Sequence, residues 1–312
     1  MLRIMFAGTP DFAVRHLSAL LSSGKEIVCV LTKPDKASGR GKKMTINSVK
    51  QLAEKNKIPI LQLESLNSPE AQELISSFNF NIMIVVAYGL ILPKSILEVP
   101  SFGCINVHAS LLPSWRGAAP IQRSLCFGDR ETGVTIIRMN DKLDAGDILY
   151  QQVCPIESCD TTATLANKLA NLGVTSLLKT LDMLERKTDR AWKQDETRVS
   201  YASKIRVEEA RLNWSESATK LERCIRAFNP WPGSYFLVNN TLIKVWRASV
   251  FPSVSGYLTG QIIRADKNGI QVMSSDGILN LEELQISGKK IIQAQDLLNS
   301  RYKFFIPGSV II

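Results

Sequence analysis

The chain of 312 residues is 45% apolar and 21% charged, which is typical of a folded globular protein and excludes collagen-like, coiled-coil and disordered chains. At roughly 100–200 residues per domain, this length predicts two domains, each large enough to bury its own core. The 38 lysines and arginines exceed the 29 acidic residues by nine, which indicates either a basic enzyme or a negatively charged partner.

Membrane, secreted and metal-binding classes are not expected from this sequence. No apolar run reaches the roughly 18 residues that a membrane span needs, and the apolar start is too short for a signal peptide. Six cysteines are scattered along the chain without a CxxC pair. This usage predicts reduced thiols rather than disulfides or a zinc site. We therefore expect a cytoplasmic protein without a metal and without a membrane partner.

The first two thirds of the chain alternate strand-like and helix-like segments. Short apolar runs predict strands at residues 3–7, 26–31, 58–63, 82–87, 104–108, 134–139 and 148–153. Helical spacing of apolar residues predicts helices at residues 11–21, 49–55, 70–78 and 165–184. Apolar strands that alternate with helices are typical of an α/β domain with a mostly parallel sheet covered on both faces.

The composition changes after Glu185, where a polar and charged stretch indicates a linker on the surface. We place the first domain at residues 1–188, the linker at 189–206 and the second domain at 207–312. One helix is predicted at residues 218–228. It is followed by β-type runs at residues 234–238, 242–248, 260–265, 270–274 and 277–281. Five short strands separated by turns favour a small β-barrel of the OB type.

A basic segment lies between Thr32 and Lys50. It contains one acid, Asp35, and six cations, a net charge of +5. The cations are Lys33, Lys36, Arg40, Lys42, Lys43 and Lys50. Because the segment also contains two glycines and no apolar pattern, it predicts a mobile loop that approaches a polyanion or a phosphate-bearing substrate.

Candidate chemistry is concentrated at the end of the strand predicted at residues 104–108. Side chains alternate along a strand, so Asn106 and His108 share one face, with Cα atoms about 6.6 Å apart. In parallel sheets the carboxyl ends of strands bind ligands. The structural alternative is a histidine that merely ends a strand. The next residues, 109–117, are too apolar and kinked for a plain surface connection, which favours the functional interpretation.

Asp144 is the candidate carboxylate. It lies in a turn between two predicted strands, where it is either a solvated turn former or a base and orienting partner for His108. Asp147 in the same turn is the alternative, and His16 is expected to be a helix-surface or packing residue. The turn after the first strand lacks both GxGxxG and GxxxxGK[ST], so a dinucleotide-binding site is not expected.

Residues 106–123, with the sequence NVHASLLPSWRGAAPIQR, resemble the signature of the methionyl-tRNA formyltransferase family. The Asn-x-His pair, the SLLP run and the later aspartate are shared with the wider tetrahydrofolate-dependent formyltransferases, whereas WRGAAPIQR is more specific. Residues 6–10 (FAGTP), 39–43 (GRGKK) and 226–233 (RAFNPWPG) are similar to other segments of the same family. The resemblance therefore extends along nearly the whole chain.

The resemblance implies a Rossmann-like formyltransferase domain and an OB-type domain that binds tRNA. The implied reaction transfers a formyl group from 10-formyltetrahydrofolate to the amino group of methionyl initiator tRNA, in a monomer without a metal. The implied catalytic residues are Asn106, His108 and Asp144. The implied folate-binding residues are Ser110, Leu111, Leu112 and Pro113. The implied tRNA-binding residues are Arg40, Lys42 and Lys43.

One departure from the family and two alternative functions stay open at this point. Lys142 stands where the family usually has glycine, and it would be strained if the turn needs a positive φ there. A formyltransferase for a small amine, such as a nucleotide-linked sugar or glycinamide ribotide, explains the three candidate catalytic residues but not the basic loop or the barrel. A nucleic-acid-binding protein on an inactive enzyme scaffold explains the charge and the barrel but not those three residues.

Overall fold

The computed structural model describes residues 1–38, 43–301 and 304–311, and the chain divides into two compact units. The first unit comprises Met1–Pro120, Glu131–Pro155 and Ala166–Ser203. The second unit comprises Ile121–Arg130, Ile156–Leu165 and Lys204–Ile312. None of the described helices is long and apolar enough to cross a lipid bilayer.

The part of the chain before residue 204 contains the elements that position the candidate site. Its strands are β1 (Arg3–Gly8), β2 (Glu26–Thr32), β3 (Lys36–Ser38), β4 (Lys43–Thr45), β5 (Ile60–Gln62), β6 (Ile82–Val86), β7 (Cys104–His108), β8 (Arg116–Gly117), β9 (Glu131–Arg138), β10 (Ile148–Pro155) and β11 (Tyr201–Ala202). Its helices are α1 (Asp11–Ser22), α2 (Ser48–Lys55), α3 (Pro69–Ser76), α4 (Lys94–Leu97), α5 (Pro120–Phe127) and α6 (Thr162–Glu185).

A seven-stranded sheet forms the centre of the first unit, in the order β10-β9-β7-β6-β1-β2-β5. The five adjacent strands β7, β6, β1, β2 and β5 are parallel to one another. Strand β9 pairs antiparallel with β7, and β10 pairs antiparallel with β9. All five residues of β6 are buried, as expected for a strand whose two faces are both covered. The α/β class with a mostly parallel sheet is thereby confirmed.

Helix ends in this unit follow local sequence signals. The Asn47 side chain accepts a hydrogen bond from the Lys50 backbone N–H at the start of α2, and Ser68 does the same for Ala71 at the start of α3. Pro10 directly precedes α1, a position where a backbone N–H would have no acceptor within the helix, so proline costs no hydrogen bond there. These caps set the helix boundaries and leave the strand ends free for the loops that follow them.

The second unit is built on an antiparallel sheet. Its strands are β12 (Tyr235–Val238), β13 (Thr241–Pro252), β14 (Ile262–Asp266), β15 (Gly269–Met273), β16 (Gly277–Ile286) and β17 (Ile292–Gln293), and its helices include α7 (Ala218–Ala227) and α8 (Ala294–Arg301). The strand order is β12-β13-β16-β15-β14, with β17 on β16. Phe236 lies in its core with edge-on ring contacts to Trp214 and Phe305. The expected C-terminal β domain is confirmed, and the strand pairs of its sheet are antiparallel.

Candidate active site

The end of β7 and the turn after β9 bring Asn106, His108 and Asp144 together. Asn106 Nδ2 donates a hydrogen bond to Asp144 Oδ1 at 3.3 Å, and His108 Nδ1 lies 3.7 Å from Asp144 Oδ2. Alternate residues of a strand share a face, so one carboxylate reaches both side chains. The structure therefore unites the amide, imidazole and carboxylate that the sequence singles out.

The second ring nitrogen of His108 fixes the orientation of the imidazole. Nε2 lies 2.9 Å from the carbonyl oxygen of Trp115, and because a carbonyl only accepts, Nε2 carries a proton and donates it. Nδ1 then faces the Asp144 carboxylate. The side chains of His108 and Asp144 are 5% and 13% exposed, so their interaction is only weakly screened by water.

The main chain of β8 holds the Asp144 carboxylate from another side. The Gly117 backbone N–H donates to Asp144 Oδ2 at 2.8 Å. Gly117 has a φ of +125°, and a Cβ at this position would lie 2.7 Å from the Ala202 carbonyl oxygen. Glycine is therefore needed here both for its backbone conformation and for the close pairing of β8 with β11.

The turn that carries Asp144 differs from the sequence-based expectation. Lys142 does not adopt a positive φ, so the strain expected there is absent, and its backbone N–H donates to Asn140 Oδ1. Asp144 itself takes the left-handed conformation, with a φ of +47°. Aspartate tolerates this region better than most residues because its short polar side chain makes local hydrogen bonds.

Gln194 supports this turn, although sequence reasoning had assigned residues 189–206 to a surface linker. The Gln194 side chain is buried, and its Nε2 donates to the carbonyl oxygens of Asp144 at 2.7 Å and Gly146 at 2.8 Å. The stretch is also fixed at Trp192, whose backbone pairs with Ile148 in an antiparallel bridge. The Trp192 side chain itself is exposed, so the apolar residues of this stretch gave no sequence signal for the anchoring.

Arg116 is a second residue that sequence reasoning did not assign to the site. It is 3% exposed, and its Nε and Nη2 donate to Gln194 Oε1 at 3.0 and 2.8 Å. Nη2 also lies 2.7 Å from Glu196 Oε1, and the hydrogen bond from this guanidinium lowers the pKa of Glu196. A buried charge requires such partners, because an unpaired one is strongly disfavoured away from water.

The loop predicted to bind folate is anchored to the neighbouring strands. Leu112 donates its backbone N–H to Thr135 Oγ1 at 3.0 Å, and the Thr135 hydroxyl donates to the Ser110 carbonyl at 2.6 Å. The side chains of Ser110 and Leu112 are buried, whereas Leu111 and Pro113 are half-buried. Leu111 and Pro113 are thus the members of the loop whose side chains remain partly accessible.

The residues predicted to contact tRNA are described only in part. Arg40 and Lys42 lie outside the described residues, and Lys43 begins β4 in register with Ser38 of β3. At the base of this hairpin Lys50 Nζ lies 2.6 Å from Asp35 Oδ2, and this hydrogen bond lowers the pKa of the Asp35 carboxyl group. One of the six cations in the basic segment is therefore already neutralised.

No group of three or more His, Cys, Asp or Glu side chains is placed to hold a metal ion within residues 1–38, 43–301 and 304–311. The site consists of hydrogen-bond donors, one imidazole and one carboxylate. Such a set of groups can stabilise an oxyanion and move protons.

Solved structures of three proteins share this fold. HypX from Aquifex aeolicus in complex with tetrahydrofolic acid matches 96% of this chain at 16% identity and a TM-score of 0.65; the match covers 47% of HypX, so this chain spans about half its length. WlaRD, a sugar 3N-formyl transferase, matches 93% of this chain and 99% of its own at 22% identity and a TM-score of 0.67.

The third is an N-formyltransferase from Helicobacter canadensis, in complex with folinic acid and dTDP-3-aminofucose. It matches 93% of this chain and 100% of its own at 20% identity, with a TM-score of 0.65. At the sequence level, the family described as formyl transferase matches residues 2–181, and the formyl transferase C-terminal domain matches residues 204–302. Together these two matches span most of the chain, and the protein therefore belongs to the formyl transferase family.

Proposed function

We propose that this protein transfers the formyl group of 10-formyltetrahydrofolate to the free amino group of methionyl initiator tRNA. The observation that carries the proposed chemistry is the convergence of Asn106 and His108 on the Asp144 carboxylate, at 3.3 and 3.7 Å. Membership of the formyl transferase family supports the same reaction class.

The reaction needs groups that stabilise negative charge on the formyl oxygen. As the amine attacks the formyl carbon, the carbonyl becomes a tetrahedral oxyanion. Asn106 uses one amide N–H on Asp144 and has a second for this oxygen. His108 Nε2–H, which donates to the Trp115 carbonyl here, exchanges that partner for the more negative oxygen. Each such donor contributes roughly 2.7–4 kcal/mol to the stability of the transition state.

The same reaction moves one proton from nitrogen to nitrogen. A bond forms between the amine nitrogen and the formyl carbon, and the bond from that carbon to the folate nitrogen breaks. The amine nitrogen loses a proton, and the leaving folate nitrogen gains one. Asp144, held by the Gly117 N–H, accepts the proton that the amine loses, or keeps that proton on His108 for delivery to the leaving folate nitrogen. Acid–base groups placed in this way accelerate reactions by about 10²–10⁴-fold.

Folate is the proposed donor because proteins of this fold, HypX and WlaRD, were solved with tetrahydrofolic acid and with 5-N-formyl-THF. In this chain the candidate folate loop is formed by Ser110, Leu111, Leu112 and Pro113. Its backbone is fixed by Thr135, and Gln151 Nε2 donates to the Leu112 carbonyl at 2.9 Å. A rigid loop with two partly accessible apolar side chains, Leu111 and Pro113, suits a flat aromatic ligand.

Initiator tRNA is the proposed acceptor on the strength of sequence and charge. Residues 106–123 and 226–233 resemble methionyl-tRNA formyltransferases, and the chain carries a net charge of +9. We assign Arg40, Lys42 and Lys43 to contacts with the tRNA phosphates, and residues 207–312 to a tRNA-binding domain. Phosphate contacts by lysine and arginine dominate the affinity of proteins for nucleic acids.

A nucleotide-linked amino sugar is the second candidate acceptor, because the sugar 3N-formyl transferase WlaRD matches 93% of this chain and 99% of its own. A formylation assay separates the two functions. The purified protein is given 10-formyltetrahydrofolate and, in parallel reactions, methionyl initiator tRNA or dTDP-3-aminofucose. We expect formylation of the methionyl-tRNA only. Methionyl elongator tRNA measures the selectivity, and transfer to the sugar alone would overturn the proposal.

A further inference from the structure

The hydrogen-bonding capacity of the Gln194 amide is completely used within the site. Its two N–H groups donate to the carbonyl oxygens of Asp144 and Gly146, and its oxygen accepts two hydrogen bonds from Arg116. A flipped amide would place its NH2 group against the guanidinium and its oxygen against two carbonyl oxygens. Only one orientation is therefore satisfied, and it connects the guanidinium to the main chain of the Asp144 turn.

Arg116, the anchor of this connection, is itself fixed from three directions. Its guanidinium donates to both carboxylate oxygens of Glu196, at 2.7 Å and 3.3 Å. Its backbone N–H donates to the Ser200 carbonyl at 2.9 Å, and β8 pairs in parallel with β11 at Tyr201. The guanidinium is buried although Glu196 is exposed, and the bidentate pair together with the strand pairing restricts its rotation, so Gln194 is held by a fixed partner.

The residue that Gln194 holds has an unfavourable backbone conformation. A left-handed φ, such as the +47° of Asp144, is unfavourable for a residue that has a Cβ. The turn is also tight, because a Cβ on Gly146 would lie 1.8 Å from the Arg138 carbonyl oxygen. Arg116 and Gly117 thus fix both ends of Asp144: one fixes its carbonyl through Gln194, and the other binds its carboxylate directly.

We propose that Gln194, held by Arg116, is a positioning residue that keeps the Asp144 carboxylate oriented toward His108 and Asn106 for formyl transfer. This inference rests on the proposed reaction but not on the identity of the amine that accepts the formyl group. Gln194 touches only the main chain of the turn, so its effect reaches the reacting atoms through Asp144. A displacement of a catalytic group by about 1 Å can lower a rate by about 10²-fold.

Two variants of Gln194 test this role. Gln194→Met keeps the size of the side chain and removes every hydrogen bond. Gln194→Glu keeps the acceptor for Arg116 but sets a carboxylate oxygen against the carbonyls of Asp144 and Gly146. With whichever amine the wild type formylates, we expect kcat to fall about 10- to 100-fold in both variants, and KM for the amine and the folate to change less than about threefold.

The matched control is Gln152→Met, which removes a glutamine of the same unit whose Oε1 accepts a hydrogen bond from the Ser176 hydroxyl. We expect it to keep kcat within about threefold of the wild type. Thermal unfolding separates stability from catalysis. Gln194→Glu preserves the Arg116 contact and is expected to unfold closer to the wild type than Gln194→Met, so it carries the kinetic test if the methionine variant is poorly folded.

A spectroscopic measurement makes the test independent of activity. The chain has two histidines, so NMR of the ring protons reports His108 beside a single reference, His16. We expect the His108 signals to shift in both Gln194 variants and the His16 signals to stay in place. Unchanged His108 signals together with a kcat within about threefold of the wild type would overturn the positioning role. A wild type that formylates a sugar instead of tRNA would overturn only the proposed acceptor.

Discussion

Gly117 binds Asp144 through its backbone N–H, which lies 2.8 Å from Oδ2, although the two residues are 27 positions apart in the chain. A main-chain donor within a paired strand has no rotamers to lose, so the carboxylate is held at a small cost in conformational entropy. This contact makes the geometry of β8 part of the candidate active site.

Gly117→Ala is expected to destabilise the fold and the site together. A Cβ at this position meets the Ala202 carbonyl oxygen at 2.7 Å, in addition to the strain of a φ of +125°. We expect the free energy of unfolding to fall by about 1–3 kcal/mol, measured by urea denaturation. Gly256→Ala is the control, because Gly256 has a φ of +90° but open space around its Cβ position. Equal losses in the two variants would show that the contact with β11 is unimportant.

His108→Ala is expected to lose turnover rather than affinity. Removing a donor that acts in the transition state lowers kcat by about 10²–10³-fold and leaves KM nearly unchanged. Steady-state kinetics with varied amine and varied folate measures both constants. His16→Met removes the other histidine of the chain and should keep kcat. A collapse of binding with a preserved residual rate would instead make His108 a ligand contact.

Asp144→Asn tests the need for a negative charge at this position. Asparagine keeps the size and the left-handed backbone but cannot accept a proton, so we expect kcat to fall by about 10²–10⁴-fold. Asp147→Asn is the matched control, because Asp147 is an exposed carboxylate of the same turn. If the Asp147 variant loses more activity than the Asp144 variant, the assignment of the catalytic carboxylate is reversed.

The buried His16 is expected to make the fold sensitive to acid. Burial lowers the pKa of His16 from its ordinary 6.5 to about 4, and within the part of the chain that the structure describes no hydrogen-bond partner reaches its Nε2 atom. Between these two pH values the unfolded chain binds a proton that the folded chain excludes, so stability falls as the pH is lowered. The loss attributable to this residue approaches about 3 kcal/mol at pH 4, since each unit of pKa shift is worth about 1.4 kcal/mol.

His16→Met removes this titration and serves as the comparison. We expect the difference in unfolding free energy between the wild type and the variant to depend on pH from 6.5 down to 4 and to be constant above 7. Urea denaturation at half-unit intervals of pH measures it. Parallel curves for the two proteins over that range would contradict the buried, neutral state of His16.

Arg40→Ala tests the proposed contact with tRNA phosphates. Each phosphate neutralised by a cation releases counterions, so loss of one contact weakens binding and reduces the slope of log affinity against log salt by about one. Filter binding of methionyl initiator tRNA from 50 to 200 mM salt gives this slope. Lys55→Ala removes an exposed cation at the end of α2 and serves as the control. An unchanged slope and rate for Arg40→Ala would exclude this residue from tRNA binding.

Short-range patterns predicted the parts of the molecule that depend on burial. The continuous apolar run of β6 predicted a strand of a parallel sheet, because such a strand is buried on both faces. The period of two along β7 predicted that Asn106 and His108 share a face. The extent of β13 was underestimated, since its last three residues, Val250, Phe251 and Pro252, are all exposed and follow no burial pattern.

The support of the Asp144 turn could not be predicted in the same way. Gln194 lies 50 positions from Asp144 in sequence, and a buried amide among charged residues shows no periodicity. The sequence suggested that the turn could need a positive φ at Lys142. The positive φ belongs instead to Asp144, whose carbonyl accepts a hydrogen bond from the distant Gln194 amide. Hydrogen bonds between remote segments depend on the folded geometry, which one sequence does not display.

The pairing of β8 with β11 also has a consequence for biosynthesis. Arg116 and Gly117 are made early, whereas their partners Tyr201 and Ala202, which complete this small sheet, lie 85 positions later in the chain. A nascent chain that has just extended past α6 contains the three candidate catalytic side chains but lacks Gln194 and β11, which brace them. The Asp144 turn can therefore be braced by these contacts only after the segment around residue 202 has left the ribosome, later than the central sheet.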